Sequence, residues 1–246
     1  MTDLFAASLE NLSPEISVPL SAENINLCRR YADMLVEKNK VMNLTSITDD
    51  EGVAIKHFID SLTLISYLEA EQNKQNKKDL TLADVGTGAG FPGIPVKILM
   101  PDLRLTLFDS LNKRVGFLRE VAEELELQNT TCVHGRAEDL GRSSKYREKF
   151  DCVTARAVAN LPVLCEYCIP FVKPNGVFLA MKGHSDEEVQ AAKKAIITLG
   201  GTLEKVDRFT LPGTDMERSV IVIRKVRPTP PKYPRKAGTP SKDPIS

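Results

Sequence analysis

Apolar side chains recur at intervals of three and four residues through much of residues 1–78, which predicts amphipathic helices. The first helix follows Ser21, whose hydroxyl can cap it and which has Asn24 three residues later. A second helix is predicted over 49–69, and the polar stretch 71–79 is predicted to be a linker. These residues together form a predicted N-terminal helical extension.

Between residues 79 and 226 the pattern changes to short apolar strands that alternate with amphipathic helices. A strand, a crossover helix and a further strand form the unit from which open parallel sheets are built. Five such units and a closing pair of strands predict an α/β, Rossmann-like domain with about seven strands. The predicted strands are 80–85, 103–108, 130–133, 150–154, 177–182, 203–211 and 219–226.

The last part of the chain, residues 227–246, contains six prolines, which predict that it forms neither a helix nor a central strand. Five basic residues against one acidic residue leave it with a net charge of +4 (5 − 1). With Tyr233, Arg235 and Lys236 close together, this basic tail suits RNA phosphates and a stacked base. A disordered tail that only aids solubility is the alternative.

The chain has 246 residues, of which 42% are apolar, and this suits one globular domain with additions or two small domains. Its net charge of zero gives no general sign of a polyanionic partner. The five cysteines lie inside apolar segments, and Cys165 and Cys168 form an isolated C-x-x-C pair, so we predict core thiols and no metal site. Neither a signal peptide nor an apolar run of membrane-spanning length is present, which predicts a cytoplasmic protein.

A glycine-rich turn follows the first predicted strand and precedes a helix. Open α/β sheets build nucleotide and cofactor sites in this way. The turn has the pattern Asp84-x-Gly86-x-Gly88-x-Gly90, and Phe91 stands where a dinucleotide fingerprint has its third glycine. The spacing is common where the ligand is S-adenosylmethionine, which has no pyrophosphate.

Polar residues just past the next strands complete the predicted cofactor site. Asp109 follows the second strand, where a carboxylate can hold ribose hydroxyls. Past the third strand, Glu138 and the Ala137 backbone are candidates for binding an adenine amine, although Glu138 could simply favour the start of a helix. Arg156 follows the fourth strand and could meet the methionine carboxylate or a substrate phosphate, unless it pairs with Asp109 or Glu138.

His57 and Asp60 are three residues apart in the second predicted helix and therefore share one face. They could line the entrance for the substrate. Equally, they could form a local hydrogen-bonded pair that only fixes the helix. The sequence leaves both alternatives open.

Residues 84–95, DVGTGAGFPGIP, resemble the motif of the bacterial small-subunit ribosomal RNA guanine-N7 methyltransferases, also called glucose-inhibited division protein B. Thr87 stands where this family more often has serine, and Asp109 where glutamate is frequent. The resemblance covers nearly the whole chain from about residue 25. Its further matching segments are 43–45, 57–62, 109–110, 113–114, 117–118, 136–138, 156–157, 182–183 and 233–240.

The resemblance implies a class I S-adenosylmethionine-dependent methyltransferase whose substrate is 16S ribosomal RNA. The implied target is a guanine at about position 527, in the 530 loop. The RNA is expected to be part of the small ribosomal subunit or an assembly intermediate, and the enzyme is expected to be a monomer. By the same matching, the cofactor contacts are Gly86, Phe91, Asp109, Ser110, Leu111, Ala137, Glu138 and Arg156.

The chemistry of guanine N7 agrees with what the sequence lacks. N7 carries a lone pair and no proton, so its methylation needs alignment of donor and acceptor and no general base. Residues 154–157 (TARA) are not the Asn/Asp-Pro-Pro-aromatic motif of exocyclic-amine methylation, and Pro162 and Cys165 do not form a Pro-Cys nucleophile. Arg156 is therefore named only as a residue that orients the base or a phosphate. The candidates for placing the RNA are His57, Asp60, Arg136, Tyr233, Arg235 and Lys236.

Two other functions share parts of this pattern. A nicotinamide-dependent oxidoreductase has the same strand–turn–helix start, but it predicts glycine in place of Phe91 and a hydride-transfer site. A non-catalytic RNA-binding or assembly factor with this fold would be expected to lose the glycines or Asp109, which are present. The sequence favours the methyltransferase over both.

Overall fold

The computed structural model describes residues 1–245, and its central feature is one sheet of seven strands. The strands are β1 (Thr81–Val85), β2 (Arg104–Asp109), β3 (Thr130–His134), β4 (Phe150–Arg156), β5 (Val172–Lys182), β6 (Gly201–Thr210) and β7 (Glu217–Lys225). Their spatial order is β3-β2-β1-β4-β5-β7-β6. Strands β1 to β5 pair in parallel, and β7 lies antiparallel between β5 and β6. This confirms the predicted Rossmann-like sheet.

The order of the strands reverses at β1, which lies between β2 and β4. In an open α/β sheet the ligand crevice lies outside the carboxyl ends of the strands at such a switch point. The residues at those ends are Val85, Asp109, His134 and Arg156. The topology therefore brings Asp109 and Arg156, which the sequence singled out, to the same edge of the sheet.

Helices cover both faces of this sheet. They are α1 (Asp3–Leu12), α2 (Ala22–Met42), α3 (Asp50–Val53), α4 (Asp60–Leu62), α5 (Ile65–Gln75), α6 (Gly93–Leu99), α7 (Asn112–Glu124), α8 (Ala137–Leu140), α9 (Leu161–Cys168), α10 (Asp186–Thr198) and α11 (Thr239–Lys242). Short 3-10 turns at Ser13–Ile16 and Ile169–Phe171 and a π-helical turn at Ala54–Ile59 complete them. Within residues 1–245, no helix is long and apolar enough to cross a membrane.

Two hydrophobic cores lie on opposite faces of the sheet, because successive side chains of a strand point to opposite sides. In β5, Leu179 packs on the face covered by the N-terminal helices, α6 and α7. Its neighbours Phe178 and Ala180 pack on the face covered by α9 and α10. The helices of residues 1–78 therefore share a core with the sheet.

The helical extension differs in detail from its prediction. Ser21 and Asn24 form a reciprocal capping box at the start of α2, with Asn24 N donating to Ser21 Oγ over 3.1 Å. The second predicted helix is instead divided into α3, the π-helical turn, α4 and α5. A π-helical turn changes the direction of the side chains around it and is frequent at functional sites. Here the π-helical turn contains His57.

The predicted linker 71–79 is wrong up to Gln75, because α5 continues through it. Glu71 is buried there and accepts hydrogen bonds from Arg224 Nη1 (2.9 Å) and Arg224 Nη2 (2.5 Å) of β7. A buried carboxylate and an arginine that form two parallel hydrogen bonds make a strong, specific pair. The polar pattern of this stretch therefore reflects a long-range ion pair.

The C-terminal segment is also more ordered than predicted. Residues 227–245 pack against the sheet domain and end in the short helix α11, whereas Ser246 lies outside the described residues. Tyr233 and Ile245 belong to the core on the α9 face, and Tyr233 is only 9% exposed. Most of the segment lacks regular structure, as predicted, but it follows a fixed path. The prediction that it forms no helix is wrong at α11, where Pro240 lies in the first turn and its missing N–H is tolerated.

Candidate active site

The glycine turn after β1 is supported from beneath by Asp84. Asp84 Oδ2 accepts hydrogen bonds from Thr87 Oγ1 (2.6 Å) and from the Gly93 backbone N–H (2.9 Å). Asp84 is fully buried, and this burial raises the pKa of its carboxyl to about 6. Its Oδ1 has no partner among residues 1–245. The turn thus rests on a buried carboxylate with one free acceptor.

The turn also needs its glycines. Gly90 has φ +110°, and a Cβ there would lie 2.6 Å from the Tyr31 hydroxyl. Gly88 has φ +61°, and its N–H donates to Asp109 Oδ2 over 2.9 Å. Glycine adopts left-handed backbone readily because it has no Cβ, whereas other residues rarely adopt it. These positions therefore hold the turn close to the end of β2.

Asp109, at the end of β2, is 3% exposed. Besides the Gly88 bond, its Oδ1 accepts a hydrogen bond from the Leu111 N–H over 2.8 Å. Each carboxylate oxygen has two lone pairs, so one remains on each oxygen for a ligand. The carboxylate is thereby fixed in orientation and still able to accept hydrogen bonds from a diol.

A cavity of ≈ 410 Å³ opens in front of this carboxylate. Such a volume suits a nucleoside-sized ligand. Glu138 borders it and also lies in the first turn of α8, so its position is compatible with both alternatives that the sequence leaves open for this residue. The predicted cofactor residues that line this cavity, called here the nucleoside cavity, are Gly86, Asp109, Ser110, Leu111, Ala137 and Glu138.

Phe91 and Arg156 lie outside the lining of the nucleoside cavity. The Phe91 ring is buried between Tyr31, with ring centroids 5.1 Å apart, and His57, with ring centroids 4.7 Å apart. The Arg156 guanidinium carbon lies 5.4 Å from the centroid of the Phe91 ring. Phe91 thus supports Arg156 and His57 through a cation–π contact and a stacked contact.

A second cavity, of ≈ 370 Å³, adjoins the end of β4 and is called here the basic cavity. Its floor includes the apolar side chains of Met181, Phe209 and Met216. Its charged and polar lining comes from the helical extension, β4, β5 and β7. These residues are Lys56, His57, Asp60, Arg156, Lys182 and Arg218.

Asp60 joins the two arginines that line the basic cavity, Arg156 and Arg218. It is 2% exposed, and its Oδ2 accepts a hydrogen bond from Arg156 Nη1 over 2.9 Å. Its Oδ1 accepts one from Arg218 Nε, also over 2.9 Å. Arg156 therefore pairs with Asp60 and not with Asp109 or Glu138, the pairing that the sequence left open as an alternative. Asp60 outcompetes them because the helical extension packs it, fully desolvated, beside Arg156.

His57 is neutral in this setting. Its Nε2 lies 2.8 Å from Thr45 Oγ1, and its Nδ1 lies 3.5 Å from Arg156 Nη2. Because an arginine only donates, we assign the ring proton to Nε2, with Thr45 as its acceptor. Burial and the Arg156 charge lower the pKa of His57 to about 4. His57 and Asp60 thus do not fix the helix through each other, and each contacts Arg156 instead.

Comparison with known proteins identifies the family. The model of the family "GidB: rRNA small subunit methyltransferase G" matches residues 24–219. The chain is 54% identical to a ribosomal RNA small subunit methyltransferase G of Acetivibrio thermocellus, over 93% of this chain and 92% of that protein. It is 50% identical to the protein of the same name of Bacillus subtilis, over 94% of this chain and 95% of that protein. This chain belongs to the rRNA small subunit methyltransferase G family.

Solved structures agree on the fold. A putative sarcosine dimethylglycine methyltransferase of Galdieria sulphuraria superposes with a TM-score of 0.52 at 10% identity, over 82% of this chain and 98% of that one. The M. jannaschii TYW2 in complex with AdoMet superposes with a TM-score of 0.50 at 14% identity, over 65% of this chain and 75% of that one. The family member described here therefore has the class I methyltransferase fold.

In this family member the nucleoside cavity and the basic cavity meet after β4. Arg156 and Ala157 line the basic cavity, and the next residue, Val158, lines the nucleoside cavity. Val158 also lies against Gly86, where a Cβ would come within 2.7 Å of Val158 Cγ2. A three-residue stretch thus forms the common wall of the two cavities.

Sequence reasoning missed Lys56 and Arg218 as residues of the basic cavity. Arg218 is 158 positions from Asp60 in the chain, and no local pattern signals that contact. Lys182 was part of a matching family segment without a stated role. Its Nζ lies 2.8 Å from Glu188 Oε2 and donates to the Ala159 carbonyl oxygen over 2.9 Å.

The other candidate residues for contacting RNA differ in how exposed their side chains are. Arg136 is exposed and lines the nucleoside cavity, and Lys236 is exposed on the C-terminal segment. Tyr233 is buried, and its ring is therefore not available for stacking on a base in this structure. Arg235 donates to Glu166 Oε2 over 2.7 Å, so its charge is neutralised within the protein.

The cysteines are thiols of the interior, as predicted. All five are free, and Cys132 alone is not fully buried. Burial raises the pKa of the Cys165 thiol, which makes a thiolate nucleophile unfavourable there. Across residues 1–245 no group of three or more His, Cys, Asp and Glu side chains could hold a metal ion.

Proposed function

We propose that this protein transfers the methyl group of S-adenosylmethionine to N7 of a guanine in 16S ribosomal RNA, at about position 527 in the 530 loop. The observation that carries the proposal is the pair of cavities with one common wall, one bordered by two acidic residues and the other by four basic ones. Membership of the rRNA small subunit methyltransferase G family supports the same reaction.

The nucleoside cavity is the proposed cofactor site, and its residues fit that cofactor. The fixed Asp109 carboxylate would accept hydrogen bonds from the ribose hydroxyls, while Glu138 and the Ala137 backbone would hold the adenine edge. Gly86, Ser110 and Leu111 form the surrounding wall. When bound, S-adenosylmethionine supplies an electrophilic methyl group on a sulfonium. Phe91 acts in this proposal from behind the site, through its contact with Arg156.

The basic cavity is the proposed place of the acceptor guanine. Its apolar floor suits the face of a base. Its four basic side chains outnumber the two carboxylates that pair with them, Asp60 and Glu188, so the cavity keeps a positive charge that suits the neighbouring phosphates. Arg156 lies at the common wall and orients the base or a phosphate there. Guanine N7 has no proton to remove, so the neutral His57 and the ion-paired Asp60 position groups and abstract nothing.

The proposed division of the chain follows these roles. Residues 1–78, the helical extension, supply His57 and Asp60 to the basic cavity, and residues 79–226 form the methyltransferase domain with both cavity floors. The C-terminal segment 227–246 completes the chain. We propose that the enzyme is a cytoplasmic monomer that acts on the small ribosomal subunit or an assembly intermediate, and that Arg136 and Lys236 contact the RNA.

A transfer assay with labelled cofactor tests this proposal. Small ribosomal subunits from cells that lack the modification should accept about one labelled methyl group each, and subunits that already carry it should accept none. Deproteinised 16S RNA, tested in parallel, separates recognition of the RNA alone from recognition of the assembled particle. Tight binding of S-adenosylhomocysteine without transfer to any of these substrates would contradict the enzymatic role.

A further inference from the structure

The nucleoside cavity has a wall from a distant part of the chain. Gly238 and Ser241, both in the C-terminal segment, line it. The Gly238 N–H donates to Glu138 Oε1 over 2.9 Å, and Glu138 is 6% exposed. This hydrogen bond fixes the direction of the Glu138 carboxylate, which lines the same cavity. The segment therefore reaches one of the two acidic residues proposed to hold the cofactor.

An ion pair anchors the segment next to this contact. Glu166 of α9 is 1% exposed. Its Oε1 accepts a hydrogen bond from the Arg235 backbone N–H over 2.7 Å, and its Oε2 accepts one from Arg235 Nη2 over 2.7 Å. Arg235 Nη2 also donates to the Asp243 carbonyl oxygen over 2.6 Å. Because a buried carboxylate without its arginine is strongly unfavourable, this anchor holds the chain on both sides of Gly238.

Further contacts hold the backbone of residues 229–234, the part of the segment that precedes Arg235. Arg147 donates to the carbonyl oxygens of Thr229 and Tyr233, each over 2.7 Å. Arg142 Nε donates to the Pro234 carbonyl oxygen over 2.6 Å. The prolines restrict the unfolded chain, so fixing this path costs less conformational entropy than it would for another sequence. The segment is thus bound to the domain along its length.

We propose that the C-terminal segment is a fixed part of the cofactor site, in which Gly238 is a positioning residue for Glu138 and the pair of Arg235 with Glu166 keeps Gly238 in place. This inference rests on the proposed role of the nucleoside cavity as the cofactor site. It differs from an RNA-binding arm, because Arg235 serves an internal contact and Tyr233 is buried. Loosening the segment therefore weakens binding of the cofactor.

The affinity of the full-length protein for S-adenosylhomocysteine, measured by titration calorimetry, tests this inference. Arg235→Ala should raise the dissociation constant about tenfold or more, because the Gly238 bond to Glu138 loses its anchor. Lys232→Ala is the matched control, since it removes one positive charge from an exposed side chain of the same segment and should stay within about twofold of the wild type.

A second variant tests the inference without removing the buried ion pair, so its result does not depend on whether Arg235→Ala folds. Ser241 is exposed and borders the cavity, so Ser241→Phe places an aromatic ring at the wall without disturbing the core. It should weaken binding about fivefold or more while the unfolding temperature stays that of the wild type. By linkage, S-adenosylhomocysteine should also slow trypsin cleavage after Lys232, Lys236 and Lys242 in the wild-type protein.

The outcomes separate this inference from the function on which it rests. If the wild type binds S-adenosylhomocysteine and both Arg235→Ala and Ser241→Phe bind it equally well, the inference is wrong and the cofactor site stands. If the wild type itself does not bind S-adenosylhomocysteine, the proposed cofactor site fails and the inference fails with it. Weakened binding by both variants and unchanged binding by Lys232→Ala supports the inference.

Discussion

Arg156 Nη1 donates a 2.9 Å hydrogen bond to Asp60 Oδ2, which joins the end of β4 to the helical extension. The partners are 96 positions apart, and Arg218 of β7 binds the other oxygen of the same carboxylate. Three parts of the chain therefore meet at one buried charge. This contact sets the direction of the guanidinium at the wall between the nucleoside cavity and the basic cavity.

Replacement of Arg156 should impair methyl transfer. Arg156→Ala removes the guanidinium from the common wall of the cavities, and we expect the turnover number at saturating substrates to fall about tenfold or more. The matched control is Arg104→Ala, an exposed arginine at the amino end of β2 that pairs with Asp79. Unchanged turnover of Arg156→Ala would remove this residue from the mechanism.

Neutralising Asp60 should destabilise the protein. Asp60→Asn leaves Arg156 and Arg218, whose side chains are 16% and 18% exposed, without their counterion. We expect the free energy of unfolding in urea to fall by about 2–4 kcal/mol. The same substitution at Asp79, in an exposed pair with Arg104, should cost less than about 0.5 kcal/mol. Equal losses of unfolding free energy for Asp60→Asn and Asp79→Asn would contradict the claim that burial makes the Asp60 ion pairs important for stability.

The glycine turn offers a comparison of two alanine substitutions. At Gly90, a Cβ would lie 2.5 Å from Ile94 Cδ1 and close to the Tyr31 hydroxyl, in addition to the positive φ. At Gly88 φ is also positive, but apart from its chain neighbours no residue of the described range 1–245 lies within 4 Å of a Cβ. We therefore expect Gly88→Ala to cost about 1 kcal/mol and Gly90→Ala roughly 3–5 kcal/mol in urea unfolding. A larger loss of stability for Gly88→Ala than for Gly90→Ala would contradict the close packing around Gly90.

His57 should make stability depend on pH. Its pKa is about 4 in the folded protein and 6.5 for the free side chain, so between these values the unfolded chain binds the proton. The free energy of unfolding therefore falls as the pH drops from about 7 to about 5. Over that interval, the free energy of unfolding of His57→Gln should fall by roughly 1–2 kcal/mol less than that of the wild type. A difference between the two proteins that does not vary with pH would contradict a neutral His57.

The regular elements were predictable because their apolar side chains keep the period of the element they form. The seven strands, α2 with its capping box, and Asp109 at the end of β2 all follow from such local patterns. The position of Asp109 followed because the carboxyl ends of parallel strands share one edge of the sheet.

The partners of the charged residues could not be predicted from local patterns. Asp60 and Arg218, Glu71 and Arg224, and Glu166 and Arg235 pair over long separations in the chain. Each of these charges looks, in the sequence alone, like an ordinary solvated surface residue. For the same reason the basic, proline-rich C-terminal segment resembled a free tail, although a buried carboxylate holds it against the domain.

Mapping the modified base tests the central claim most directly. Unmethylated small ribosomal subunits are incubated with the protein and S-adenosylmethionine, and the 16S RNA is then cleaved chemically at N7-methylguanine. We expect one new cleavage, at a guanine of about position 527 in the 530 loop. Cleavage elsewhere, or methyl transfer without any new N7-methylguanine, would contradict the proposed target.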